Sequence, residues 1–158
     1  MDWMKNMNEQ LKKGAFLMVS GNPMTIGWGQ FGIIWNKQTF SVYVRQSRYT
    51  HDLLDNTNMF TVSVPYEGTM QKELAFCGTR SGRDVDKMNA LQASLSPAKF
   101  GAQDGFAGCR YHIECRILFR TDLDENLLED NALLSRYYAD GDTHTMYIGE
   151  ILGVTENA

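Results

Sequence analysis

A chain of 158 residues, 43% hydrophobic and 22% charged, has the length of one domain, residues 1–158, and can bury a core without metals or disulfides. Its 15 basic and 19 acidic residues leave a formal charge of −4, which removes the electrostatic case for nucleic acid as the main partner. No run of about 18 apolar residues is present to span a membrane, and the opening "MDWMKNMNEQLKKGAFLMVSG" lacks the basic start and apolar stretch of a signal peptide.

In chain order, "AFLMVS" (15–20) and "MTIGWG" (24–29) read as strands joined by the turn signal "GNP". "TFSVYV" (39–44) alternates, with Val42 and Val44 on one face and Tyr43 and Arg45 on the other. Helical spacing follows in "YTHDLLDNT" (49–57), then a strand in "MFTVSV" (59–64) with Phe60, Val62 and Val64 facing one way. Met70, Leu74 and Cys77 predict a helix over 70–77, with Gly78 as its left-handed C-cap. Ser81 and Asp84 form a weak capping box that would open a second short helix. Residues 91–108 have no clear period and read as a long loop. "CRYHIECRILFR" (109–120) is the longest alternating strand, with Tyr111, Ile113, Cys115, Ile117 and Phe119 on one face; "HTMYIGEILGV" (144–154) is the last. With no internal repeat or linker, six or so strands with short inserted helices predict a small, mainly β barrel whose edges the helices cover.

The three cysteines, Cys77, Cys109 and Cys115, are odd in number and lack a CxxC pair, so they read as reduced thiols in a cytoplasm. His51, His112 and His144 are scattered away from cysteine, and no metal site is expected.

Three stretches carry candidate chemistry. In "RQSRYT", Arg45 ends a strand while Ser47, Arg48 and Thr50 occupy a turn into a helix, where unpaired N–H groups favour an anion. Two guanidiniums and two hydroxyls suit a phosphate better than a carboxylate; a capped surface turn is the alternative. "FCGTRSGRDVDK" repeats the pattern with Thr79, Ser81, Arg80, Arg83 and Lys87, without a Walker or GxGxxG fingerprint. Two such turns in one small barrel point to a phosphate monoester. In "GNPMTIGWG", Gly27 and Gly29 leave backbone open beside Met24, Ile26 and Trp28, as a planar ring or a bulge packed under a helix would require.

"NPMTIGWGQFGIIW", "VYVRQSRYTHDLLD", "FTVSV", "ELAFCGTRSGRDVDKM", "HIECR" and "HTMYIGEI", in this order over residues 10–154, resemble the flavin reductase-like family with the FMN-binding split barrel, in particular its flavoredoxin-type branch. The resemblance implies a Greek-key split β-barrel and a homodimer with FMN near the interface. It places Asn22, Thr25, Ile26, Gly27 and Trp28 along the isoalloxazine, and Arg45, Ser47, Arg48 and Thr50 on the first phosphate turn. Cys77, Gly78, Thr79 and Ser81 fall on the second turn, and Lys87 is the base that closes the site. Pro23 departs from the family's common threonine and removes one backbone donor there.

His112 shares a strand face with Glu114 and Arg116, where two roles are open: a catalytic group facing the flavin or partner subunit, or a structural histidine. Tyr147 is either a cover over the ring or core. Cys77, at a helix end beside basic residues, is either a thiol of lowered pKa or a packing residue. The activity implied is an FMN-dependent oxidoreductase of flavin reductase type with NADH or NADPH as donor. The alternatives are a flavoredoxin-type electron carrier served by a redox protein partner, and a barrel that has lost its flavin, against which the two phosphate turns argue.

Overall fold

The structure, a computed structural model, describes residues 2–158, with side chains from residue 4 onward. Seven antiparallel strands form one sheet in the order β2-β1-β5-β8-β9-β4-β3. They are β1 (Ala15–Val19), β2 (Asn22–Ile26), β3 (Gly29–Ile34), β4 (Lys37–Arg45), β5 (Met59–Val64), β8 (Tyr111–Asp122) and β9 (His144–Glu156). A second small pair, β6 (Leu95–Ser96) and β7 (Gly105–Phe106), lies within the segment 91–108. The helices are α1 (Asp2–Leu11), α2 (Tyr49–Leu54), α3 (Gln71–Thr79), α4 (Lys87–Ala90) and α5 (Asn131–Tyr137). Among the described residues, no helix is long and apolar enough to cross a membrane.

β2 and β3 stand at opposite ends of the sheet order, yet only Gly27 and Trp28 separate them in sequence. So short a link reaches at most about 11 Å, and the sheet therefore rolls until its two ends meet: a split β-barrel. Register shifts between Glu114/Cys115 and Ile117/Phe119 help the long β8–β9 pair to bend. Inside the roll, Phe40, Val42, Val44, Phe60, Val62, Val64, Tyr111, Ile113 and Cys115 form the main core, as the alternation predicts. A second cluster of Phe16, Met18, Leu74, Cys77, Met88, Phe106 and Cys109 lies between the outer face of β1 and its covering segments.

Several expectations change. The strand predicted over 24–29 breaks at Gly27–Trp28, because the chain leaves one sheet end there and begins another strand, β3, at Gly29. Phe119 leaves the face of Tyr111 and becomes exposed past the second bulge. The helix predicted over 49–57 stops at Leu54, where Arg120 donates to the carbonyls of Leu54 at 2.7 Å and Thr57 at 3.1 Å. Gly78 is no left-handed cap but part of α3, and the left-handed residue is Met70 at the helix start, with φ 58°. A Cβ on Gly78 would lie 3.3 Å from that of Thr25, so its value is close approach. Ser81 does not open a helix. Its hydroxyl oxygen accepts from Arg83 N at 3.1 Å in a turn, and α4 starts later with Asp86 accepting from Asn89 N at 3.1 Å.

The segment 91–108 is bound down on the outer face of β5 and β8. Glu114 accepts from the backbone N–H groups of Lys99 (2.9 Å), Phe100 (3.0 Å) and Ala102 (3.1 Å). Thr61 and Gln103 exchange two bonds, Thr61 Oγ1 donating at 2.6 Å and accepting at 3.1 Å. His112 lies beneath this cover, its Nδ1 2.8 Å from Ser63 Oγ, which accepts from Phe106 N at 3.0 Å. Its buried Nε2 has no partner among the described residues, and burial holds its pKa below the usual value.

Glu114→Ala should cost about 2 kcal/mol, the scale of losing charge-assisted bonds. Urea unfolding should show a lower midpoint at unchanged slope, and limited proteolysis should cut within 97–104. Resistance equal to the wild type would show that other contacts hold the segment.

Candidate functional site

Where the barrel splits, an open cleft of about 180 Å³ runs along its outer surface. One wall is the strip Met24–Trp28. Met24 and Ile26 point into the core, so the strip offers mainly backbone to the cleft, with Thr25 outward. Thr25 Oγ1 donates to Leu74 O at 2.5 Å and so ties the strip to α3. The facing wall is built from outward residues of β4 and β9, namely Tyr43, Arg45 and His144, with Arg48 at the end.

Trp28 is 41% exposed at the rim, edge-on to Tyr137 (centroids 5.1 Å apart) and beside His144 (4.8 Å). His144 Nδ1 lies 2.8 Å from Tyr138 Oη, and the Arg45 guanidinium stands over the Tyr138 ring at 5.5 Å. Burial, then the Arg45 charge, lower the His144 pKa to about 4, against the opposing pull of Asp142.

The two basic turns meet at one end of the cleft. Arg48 Nη1 donates to Gly78 O at 3.3 Å, and Arg83 Nη1 to Ser47 O at 3.1 Å while its other nitrogen pairs with Asp52. A Cβ on Gly82 would collide with the ring of Tyr49 and with Asn22, so only glycine lets the second turn seat on the first. Asn22 Nδ2 donates to buried Thr50 Oγ1 at 3.2 Å. Lys87 is buried and donates to Pro23 O at 2.9 Å and Cys77 O at 3.0 Å. Burial lowers its pKa to about 8, with the Cys77 sulfur opposing and the Arg48 charge adding to the drop. Lys87 and Arg48 thus satisfy carbonyls at the C-terminal end of α3, where cations are favoured.

Of the residues predicted from sequence, Thr25, Ile26, Gly27, Trp28, Arg45 and Arg48 line the cleft. Asn22, Thr50, Cys77, Gly78 and Lys87 support it through the bonds described. Ser47 donates from Oγ (2.6 Å) and N (3.2 Å) to the Asp142 carboxylate. Thr79 Oγ1 turns back to Ala75 O at 2.9 Å, and Ser81 serves its own turn. Cys77 is no thiolate: burial, outweighing Lys87, raises its pKa to about 11. His112 is not at the cleft. Tyr147 is core rather than cover; it pairs with Val42, sits inside the barrel under Arg120, and burial raises its pKa to about 12. His144 and Tyr43 also line the cleft, though no motif in the sequence singles them out. The signal for His144 was strand parity, because Tyr147 inward puts His144 outward, opposite Arg45.

The unfolded chain protonates His144 near pH 6.5 and the folded chain near 4, so its contribution to stability is full above 6.5 and is lost as pH falls toward 4. An NMR titration should put its midpoint near 4, and His144→Gln should flatten the wild-type loss of stability across that window. A midpoint near 6.5 would contradict the buried, Arg45-facing environment.

The flavin reductase like domain family matches residues 13–158. A protein from Archaeoglobus fulgidus described as uncharacterized is 31% identical over 145 residues, covering 89% of this chain and 71% of its own. Flavoredoxin from Methanosarcina acetivorans superposes with a TM-score of 0.68 at 24% identity, covering 91% of this chain and 68% of that one. An FMN-binding protein from Thermus thermophilus gives 0.69 at 22%, covering 91% and 71%. An NADH:FAD oxidoreductase from Streptomyces globisporus gives 0.69 at 17%, covering 97% and 83%. The chain, with its split barrel, belongs to the flavin reductase-like family.

Proposed function

We propose that this chain binds FMN in the cleft and acts as an NAD(P)H-dependent flavin oxidoreductase. The observation that carries the reading is the meeting of two basic turns at one end of a backbone-lined cleft, in a chain of net charge −4. The residues fit the cofactor. Arg45 and Arg48 each carry five N–H donors and spend one apiece on Asp142 O and Gly78 O, which leaves capacity for a phosphate. Among the described residues no carboxylate lines the cleft walls, and that of Asp142, at the rim, is engaged by Ser47, so the walls are suited to binding an anion and orienting a ring.

Asn22, Thr25, Ile26, Gly27 and Trp28 are assigned to the ring. Arg45, Arg48 and Thr50 are assigned to the phosphate, with Ser47 at its rim and Cys77, Gly78, Thr79 and Ser81 on the second turn. Lys87 acts here as a clamp on the Pro23 and Cys77 carbonyls rather than as a free phosphate ligand. A neutral His144 that accepts from Tyr138 at Nδ1 carries its proton on Nε2 and offers one N–H donor at the cleft. His112, under its cover, is assigned a structural role in place of the catalytic one. When bound, FMN supplies the redox chemistry, and the protein supplies binding, orientation and electrostatics.

A second reading, a flavoredoxin-type electron carrier with a redox protein partner, is favoured by the openness of the cleft and the exposure of Trp28. Trp35 (54% exposed) and Phe119 (47%), with ring centroids 6.2 Å apart, form an apolar patch beside Ile33 that suits a homodimer contact. Three free, buried thiols suit a reducing cytoplasm.

Purified protein should show flavin absorbance bands with added FMN, and NADH or NADPH should bleach them anaerobically at catalytic rates. Bands that persist until a protein donor is supplied would establish the carrier, and a protein that takes up no flavin would overturn both readings. Arg48→Ala should weaken FMN binding about tenfold or more, the scale of a charge-assisted bond. Thr50→Ala should weaken it less. Unchanged affinity in both would remove the phosphate assignment.

A further inference from the structure

The donors that Ser47 presents at the turn are already taken by an anion of the chain's own. Its Oγ donates to Asp142 Oδ2 at 2.6 Å and its N–H to Oδ1 at 3.2 Å. The surrounding backbone fixes that carboxylate in place. Arg45 Nη1 donates to Asp142 O at 2.6 Å, and Gln46 donates to Thr143 from its backbone N (to O, 3.0 Å) and from Nε2 (to Oγ1, 3.0 Å). Gly141, at φ +76°, makes the bend, and Asp140 Oδ1 accepts from Asp142 N at 3.0 Å. Residues 140–143 are thus a strap zipped to residues 45–47, and it runs straight into His144 on the cleft wall.

A phosphate that approaches Arg45 and Arg48 meets this carboxylate beside it. The two anions compete for the Ser47 donors and repel each other, an interaction that a partly exposed site screens but does not abolish. A flavin without a phosphate meets neither effect. We infer that Asp142 is a specificity-determining residue, which sets how strongly the cleft prefers a flavin phosphate monoester over the unphosphorylated flavin. The inference rests on the flavin reading of the cleft. Its sign is definite, because removing the charge strengthens phosphate binding alone.

The test is the affinity of wild type and Asp142→Asn for FMN and for riboflavin, by flavin fluorescence at low salt. Asparagine keeps an acceptor for Ser47, so the strap stays zipped. Affinity for FMN should rise about threefold to tenfold, with riboflavin unchanged, and the gain should shrink as salt is raised. Equal changes for both flavins, or weaker FMN binding alone, would make Asp142 a structural tie and overturn the inference. In the wild type, the backbone amide resonance of Ser47 should shift with FMN and stay with riboflavin; the same shift for both would also overturn it. A wild type that binds neither flavin takes down the functional reading and this inference together. A wild type that binds FMN but keeps its FMN-to-riboflavin ratio in Asp142→Asn takes down this inference alone.

Discussion

Gly27 and Trp28 join strands at opposite ends of the sheet order, and that covalent link is the constraint from which the site follows. A seven-stranded antiparallel sheet could lie open with two bare edges, which invite pairing with other chains. Here the ends of the sheet are held within a few residues of each other, and the roll that results leaves a seam. The seam is where backbone is exposed without a neighbouring strand to pair it. Gly29 makes the crossing possible, since a Cβ there would lie 2.8 Å from the Phe40 ring and 3.2 Å from Ser41 O. The cleft is therefore a by-product of closure, and side chains had only to be placed along it.

The cations at the seam are held by partners within the chain before any ligand arrives. Arg45, Arg48, Arg83 and Lys87 would repel one another if left free. Each instead donates to a backbone carbonyl, of Asp142, Gly78, Ser47 and Pro23 respectively, and Arg83 also pairs with Asp52. The Arg48 contact, with a second bond from Lys87 to Cys77 O, ends α3, whose final carbonyls need donors in any case. The same bonds thus finish a helix, join two turns and fix guanidiniums in place. A ligand that meets side chains already fixed loses less entropy on binding.

The strands of the core were legible because each buried face repeats with period 2, as in Val42/Val44, Phe60/Val62/Val64 and Tyr111/Ile113/Cys115. The turns "RQSRYT" and "FCGTRSGRDVDK" were legible as a charged pair, but their contact was not, because it depends on Gly82 passing close to Tyr49. β3 was hidden because its residues are mostly exposed and carry no alternation to the core. Gly78 reads locally as a stop, yet tertiary packing against Thr25 keeps it helical. Ser47 and Lys87 carry donors that suit a phosphate on paper. Their actual acceptors, Asp142 and the Pro23 and Cys77 carbonyls, come from distant parts of the chain that no local pattern connects.

His112 and His144 show where such reading runs out. Both sit on long strands, both point away from the barrel interior, and burial lowers the pKa of both. By alternation alone they are equivalent. What separates them is which stretch of outer surface each strand presents. The face of β5 and β8 is sealed by the segment 91–108, anchored on Glu114 and Thr61, so His112 becomes part of a packed interior with one nitrogen unpartnered. The face of β4 and β9 is left open at the seam, because the chain that would cover it departs at Trp28, so His144 meets the cleft with Tyr138 fixing its ring. A histidine's chemistry in this fold is therefore decided by the covering segments, and those are set by long-range contacts rather than by the strand that carries the residue.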